Sequence, residues 1–288
     1  MRDFISWNLS KTGRRMKRAD ALFVSFPKSG RTWVHFFYNA YLAGLSGKEF
    51  SWSGTDFREY PHLFFTHDRW EHRMLPGWWG FIRGKHLIPQ TARRQKKIIL
   101  MVRDPRDVVV SLHFHLLKRP NAFRWTPQPI GEMLRDSKFG IAMVIELMNG
   151  WLAEWQGRED FKLLRYEDCK ADATLEFRGL LEFLGLAPVS DSALTHALEF
   201  SRFENMQAME AAGKFSEKEL SAGNIADKDS FKARRGLVGG FRDYLDAEDL
   251  ALAAGEMKKL DSRFGYALKS GRSPLTHATL VRQTQASW

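Results

Sequence analysis

Two short segments carry residue types at spacings that could grip an anionic ligand. The first is Pro27-Lys28-Ser29-Gly30-Arg31-Thr32-Trp33. A proline ends an apolar run, and a Lys-Ser-Gly turn opens onto the helical stretch Val34 to Leu42. Such a turn aims several backbone N–H groups and the positive end of a helix at one spot, where phosphate or sulfate can bind. Lys28 adds a mobile charge there, and Trp33 a flat face for a base. The second segment is Arg103-Asp104-Pro105-Arg106-Asp107, followed by Ser111. Asp104 suits an N-cap, Pro105 the first helical position and Asp107 the third, which places Arg103 at a strand end and Ser111 two turns into a helix. A guanidinium fork and a hydroxyl can then meet the same phosphate.

The elements that position these residues read as an α/β scaffold. Residues 21–26 and 98–102 are short apolar runs of the kind buried in parallel sheets, and 161–166 is a further strand. Ile141, Val144, Ile145, Met148, Leu152 and Trp155 recur at helical spacing and predict one buried stripe. Phe177, Leu180, Leu181 and Leu184 predict another, stopped by Gly185. Leu250, Ala253, Met257 and Leu260 predict a late helix capped by Asp246.

The phosphate loop departs from the nucleoside-triphosphate pattern, in which the lysine follows the last glycine and a neighbouring hydroxyl binds magnesium. Here Lys28 precedes Gly30, and no glycine opens the loop.

With both blocks in view, the chain resembles the cytosolic-type sulfotransferases that use 3′-phosphoadenosine-5′-phosphosulfate (PAPS), over roughly residues 20 to 265. The resemblance implies an α/β, P-loop-like three-layer fold with a central parallel sheet flanked by helices. Residues 27–33 look like the family's 5′-phosphosulfate loop, which implies that Lys28, Ser29, Gly30, Arg31, Thr32 and Trp33 bind the cofactor. Arg103 and Ser111 match the 3′-phosphate block, and Phe231 to Gly239 is similar to the late basic loop, carrying that role to Arg234, Arg235 and Gly236. Tyr166, Ser201 and Phe203 fill the places of the adenine contacts. The family's base is a histidine in a Lys-Thr-His sequence. This chain has Phe65-Thr66-His67, which implies His67 as base, with Phe65 in place of the lysine and Lys28 left as the clamp on the leaving phosphate. The implied reaction moves a sulfuryl group from PAPS to a hydroxyl of a small-molecule, sugar or lipid acceptor, leaves adenosine 3′,5′-bisphosphate (PAP), and needs no metal. The family's Thr-Val dimer segment is missing from the run Arg242 to Glu248, which implies a monomer or a dimer built elsewhere.

Composition agrees with this class. The 288 residues carry a formal net charge of +10, which suits a multiply anionic cofactor. Nucleic acid would suit it equally, but no helix-turn-helix, zinc-finger or aromatic RNP pattern is present. The one cysteine, Cys169, allows no internal disulfide and fits a reducing compartment. No apolar run reaches the roughly 20 residues of a membrane span, and residues 1–20 lack a secretory core, so the expectation is cytoplasmic. His113 and His115 lie two apart, on different helix faces, and are not an i, i+4 metal pair. The expected organisation is a basic, frayed N-terminal arm over 1–19, a sulfotransferase domain over 20–268 and a loose C-terminal tail over 269–288. A Trp-rich stretch over 69–81 reads equally as a lid, an acceptor wall or a packed loop. The competing readings are a P-loop-type nucleotide kinase, which would require magnesium and triphosphate turnover, and a non-catalytic adenine-nucleotide-binding protein, indifferent to loss of His67.

Overall fold

The computed structural model describes residues 11–54, 56–68, 94–118, 126–155, 157–215, 220 and 222–266. Its centre is a parallel sheet of β1 (Ala21–Ser25), β2 (Leu63–Thr66), β3 (Lys97–Val102) and β4 (Phe161–Arg165), in the order β2-β1-β3-β4. Val24 lies opposite Thr66 on one side and Leu100 on the other. Leu100 in turn pairs with Leu163.

The alternation of side chains along the inner strands builds two cores. Leu22, Val24, Ile98, Leu100 and Val102 point to one face, which is covered by α3 (Pro105–Lys118), α5 (Ile141–Trp155) and α10 (Ala247–Met257). Ala21, Phe23, Ile99 and Met101 point to the other, covered by α2 (Arg31–Ser46), α7 (Ala173–Leu184) and α8 (Asp191–Phe200). Every residue of β1 is buried, and four apolar residues in succession precede Ser25, so the strand is a near-continuous apolar run rather than an alternating one. The result is the expected three-layer α/β fold. α1 (Lys11–Arg18), α4 (Ile130–Arg135), α6 (Tyr166–Ala171) and α9 (Phe203–Ala211) complete the described α-helices.

The three helical stripes pack as their spacing predicts. Gly185 takes the left-handed conformation that ends α7, and the Asp246 side chain accepts from the Asp249 N–H at the start of α10. The Trp155 side chain lies outside the described residues, and the stripe's unforeseen member is Trp151, buried in the same core.

Three local expectations are corrected. The basic arm is not frayed throughout: Lys11–Arg18 is helical, because Met16 inserts into the core and Lys96 donates to the Lys17 and Ala19 carbonyls. Arg103 stands one residue beyond β3 rather than on its last residue. Tyr166 opens α6 instead of ending β4, since Arg165 is the last residue paired with β3. Residues 69–81 and the tail 269–288 lie outside the described residues. Among the described residues no helix is long and apolar enough to cross a membrane, and no group of three or more His, Cys, Asp or Glu could hold a metal ion.

Candidate active site

The carboxyl ends of the strands in an open parallel sheet are where ligands collect. Here all four deliver a residue of interest to one edge. β1 runs into Lys28, β2 into His67, β3 into Arg103 and β4 into Tyr166. Together with the late loop they enclose a cleft of about 420 Å³, within the range of small-molecule sites. Every residue expected to bind the cofactor or act in the reaction lines it except Ser29, whose side chain is buried in the turn.

The first loop is built for close approach of an anion. Gly30 caps α2 at φ 109°, and a Cβ there would meet Met101 at 2.5 Å and Tyr166 at 2.8 Å. Only glycine fits, which leaves the leading N–H groups of α2 uncovered by side chain. Lys28 holds φ 71°, a left-handed conformation costing a residue with a Cβ on the order of 1–3 kcal/mol. The turn keeps that strain at the spot where the lysine enters the cleft.

Arg103 ties this loop to the late one. Its guanidinium donates to the Lys28 carbonyl at 3.3 Å and the Leu237 carbonyl at 2.8 Å, lies 4.5 Å over the Tyr166 ring, and sits 3.6 Å from the Asp107 carboxylate. Its Nε is buried with no hydrogen-bond partner among the described residues. Asp107 has a role that a helix-capping reading misses. Its carboxylate accepts from the N–H groups of Gly239 and Phe241, 132 and 134 residues away, and so fixes the late loop against α3. Burial pushes its carboxyl up, against the pull of Arg103 and of those two donors. Asp104 does cap α3, accepting from the Arg106 N–H at 2.9 Å while its carboxylate forks onto the Arg106 guanidinium.

On the late loop, Arg234 lies 4.1 Å over the Phe114 ring and donates to the Tyr244 hydroxyl at 2.8 Å. Arg235 pairs with Asp243 at 2.6 Å and shares the Tyr244 hydroxyl. The run with the missing dimer signature thus includes intramolecular supports for this loop. Gly236 has φ 62°, and a Cβ there would meet the Phe203 ring at 2.8 Å, so glycine lets that ring lie against the loop. Ser201 contributes position more than a free hydroxyl, since its Oγ donates to the Ala197 carbonyl at 2.7 Å. Trp33 stands edge-on to Tyr166 and Phe177, with Lys170 5.9 Å over its ring.

His67 faces this cation-rich wall from β2. Its Nδ1 lies 2.8 Å from the Ser25 carbonyl, which can only accept, so Nδ1 carries the proton and the lone pair is on Nε2. The turn that presents it is held by Asp68, at φ 39°, whose buried carboxylate accepts from the Trp151 indole at 2.9 Å. Desolvation, then the Arg31 charge, push the imidazole down to about 3, with Lys232 adding to the effect and the Ser25 hydrogen bond opposing it. Two of the other described histidines are engaged elsewhere. His35 packs between Trp52 and Phe65, and the His113 Nε2 lies 2.9 Å from the Gln128 carbonyl. His115 reaches the cleft, one turn along α3 from Ser111. Phe65 packs at a tilt against Phe23 and His35, with ring centres 4.9 and 4.5 Å apart, an aromatic wall with no charge.

Lys170, His115 and Lys232 also line the cleft and were missed. Their signal was helix spacing: Lys170 and His115 each lie four residues after an expected contact, Tyr166 and Ser111. Lys232 opens the basic run already noted.

Residues 81–259 match the sulfotransferase domain family. Sulfotransferase 2A2 of Mus musculus is 27% identical over 224 residues, covering 67% of this chain and 68% of the relative. Sulfotransferase 2A1 of Macaca fascicularis is 25% identical over 256 residues, covering 80% of each. Sulfotransferase 2B1 of Rattus norvegicus is 31% identical over 117 residues, where the match spans 39% of this chain and only 33% of that protein. Among solved structures, mouse sulfotransferase SULT7A1 complexed with PAP superposes with a TM-score of 0.57 at 19% identity, covering 84% of each chain. At that identity the likeness shows the fold.

Proposed function

The chain belongs to the sulfotransferase domain family, and from that premise we propose that it transfers a sulfuryl group from PAPS to the hydroxyl of a small-molecule acceptor. The observation that carries this reading is the meeting, in one cleft, of a histidine whose Nδ1 faces the Ser25 carbonyl, the Lys28 turn at the head of α2, and the cluster of Arg103, Ser111, Arg234 and Arg235. Lys28 and the head of α2 suit the 5′-phosphosulfate. Arg103, Ser111, Arg234, Arg235 and Gly236 suit the 3′-phosphate, with Trp33, Tyr166, Ser201 and Phe203 around the adenine. In the reaction the acceptor oxygen attacks sulfur, His67 Nε2 takes its proton, and the bond from sulfur to the 5′-phosphate breaks with its electrons left on the phosphate. Lys28 meets that growing charge. Positioning and charge stabilisation do the work, and no residue need form a covalent intermediate.

The acceptor reading is supported by the names of related proteins: one relative is a flavonol 3-sulfotransferase, and a retinol dehydratase of similar fold was solved with retinol and PAP. A sugar or lipid hydroxyl is the broader form of the same proposal, and the protein would work in the cytoplasm.

A thermal-shift panel tests the nucleotide assignment. PAP is expected to stabilise the protein well beyond adenosine 5′-phosphate, because only PAP engages the Arg103, Ser111 and Arg234 side of the cleft. Stabilisation by ATP with magnesium alone would instead make the protein a triphosphate enzyme and overturn the reading.

A further inference from the structure

We propose that Lys232 grips the sulfuryl oxygens of the donor, reaching the cleft of Lys28 and His67 from the late loop. The proposal rests on the PAPS reading above and goes beyond it by assigning a second cation to the transferred group itself. Lys232 lines the same cleft as Lys28 and His67 but arrives from the late loop, more than 160 residues along the chain. Its backbone is pinned: the N–H groups of Lys232 and Ala233 both donate to the buried Glu210 carboxylate, at 2.8 and 3.1 Å, and Gln207 donates to the Ala233 carbonyl at 3.0 Å. A buried carboxylate spent on two consecutive amides fixes where the Lys232 side chain starts. Lys232 lines the cleft together with Lys28, Arg31 and His67, the residues of its reacting end.

The need for such a cation follows from Phe65. At that position the chain presents an aromatic ring packed on Phe23 and His35, so β2 supplies the base but no charge. In the transfer, the acceptor O–S bond forms as the S–O bond to the 5′-phosphate breaks. The acceptor proton passes to His67 Nε2 and the electron pair stays on the phosphate oxygen. Lys28 meets that leaving oxygen, while Lys232 holds the three sulfuryl oxygens that travel to the acceptor, keeping sulfur in line between the two oxygens.

PAPS and PAP differ by the sulfuryl group alone, so the test needs no acceptor. Calorimetric titration of Lys232→Met is expected to show PAPS weakened at least about tenfold, the effect of one charge-assisted hydrogen bond in a partly desolvated site. PAP should change less than about twofold. Lys232→Arg should restore most of the PAPS affinity, and Ser111→Ala should weaken both nucleotides alike. An equal loss for PAPS and PAP in Lys232→Met, or no loss for either, would overturn the proposal while leaving the sulfotransferase reading intact. Wild-type protein that binds neither nucleotide would overturn both. An unchanged melting temperature in Lys232→Met separates a local effect from misfolding.

Discussion

His67→Ala is expected to remove transfer to an aliphatic alcohol while leaving PAP affinity close to wild type. General-base catalysis contributes on the order of 10²–10⁴-fold, and an alcohol cannot ionise unaided. An acidic phenol should retain part of its rate because it supplies its own oxyanion. The structure adds a pH signature. The base must be neutral, so rate should be lost as pH falls through the histidine's pKa. Desolvation and Arg31 hold that value near about 3, not at the ordinary 6.5 of imidazole. Wild-type kcat/KM should therefore show no histidine limb between about pH 5.5 and 8 with an acceptor that does not itself titrate there. A fall centred near pH 6.5 would place the proton on a differently housed group. Full activity of His67→Ala on an alcohol would remove His67 as the base. His115 would be tested next, since it lines the cleft while the Asp68 carboxylate accepts from Trp151 and His35 packs between Trp52 and Phe65.

Lys28→Ala should lower kcat by about 10²–10³-fold, the cost of removing one preorganised group aimed at developing charge. The fold should survive, and for a reason specific to this position. Lysine and alanine both carry a Cβ, so both meet the same left-handed penalty at φ 71°. Lys28→Gly supplies the complementary check: it should match the activity loss while relieving the backbone, so that the melting temperature does not fall. If Lys28→Ala turned over at the wild-type rate with its fold intact, the leaving phosphate would be held elsewhere. If the activity loss appeared only together with unfolding, the lysine would be structural.

What the chain discloses about itself depends on how local each constraint is. Lys28 and Arg103 were legible because each follows an apolar run, and the end of a buried strand is where a parallel sheet places ligands, whereas His67 and Tyr166 were named only through the family resemblance and the strand ahead of His67 was not expected. The stripes of α5, α7 and α10 were legible for the same reason, since helical spacing is local. The hidden features are pairings across long separations. Asp107 reads locally as a third helical residue, yet its carboxylate holds Gly239 and Phe241. Trp151 reads as one apolar position among many, yet its indole anchors the turn behind His67. Glu210 gives no sign in sequence that it will fix Lys232. Met16 shows why the arm was misread: a basic run looks solvated until one apolar residue in it finds the core.

The most direct measurement of the central claim follows the sulfur itself. Protein incubated with PAPS labelled in its sulfuryl group and a panel of small-molecule alcohols and phenols, without added metal, should move label onto an acceptor. PAP should form in equal amount, and transfer to an aliphatic alcohol should be lost in His67→Ala. Label that stays on PAPS with every acceptor while ATP with magnesium is turned over, or transfer to an aliphatic alcohol that survives loss of both His67 and Lys28, would contradict the account.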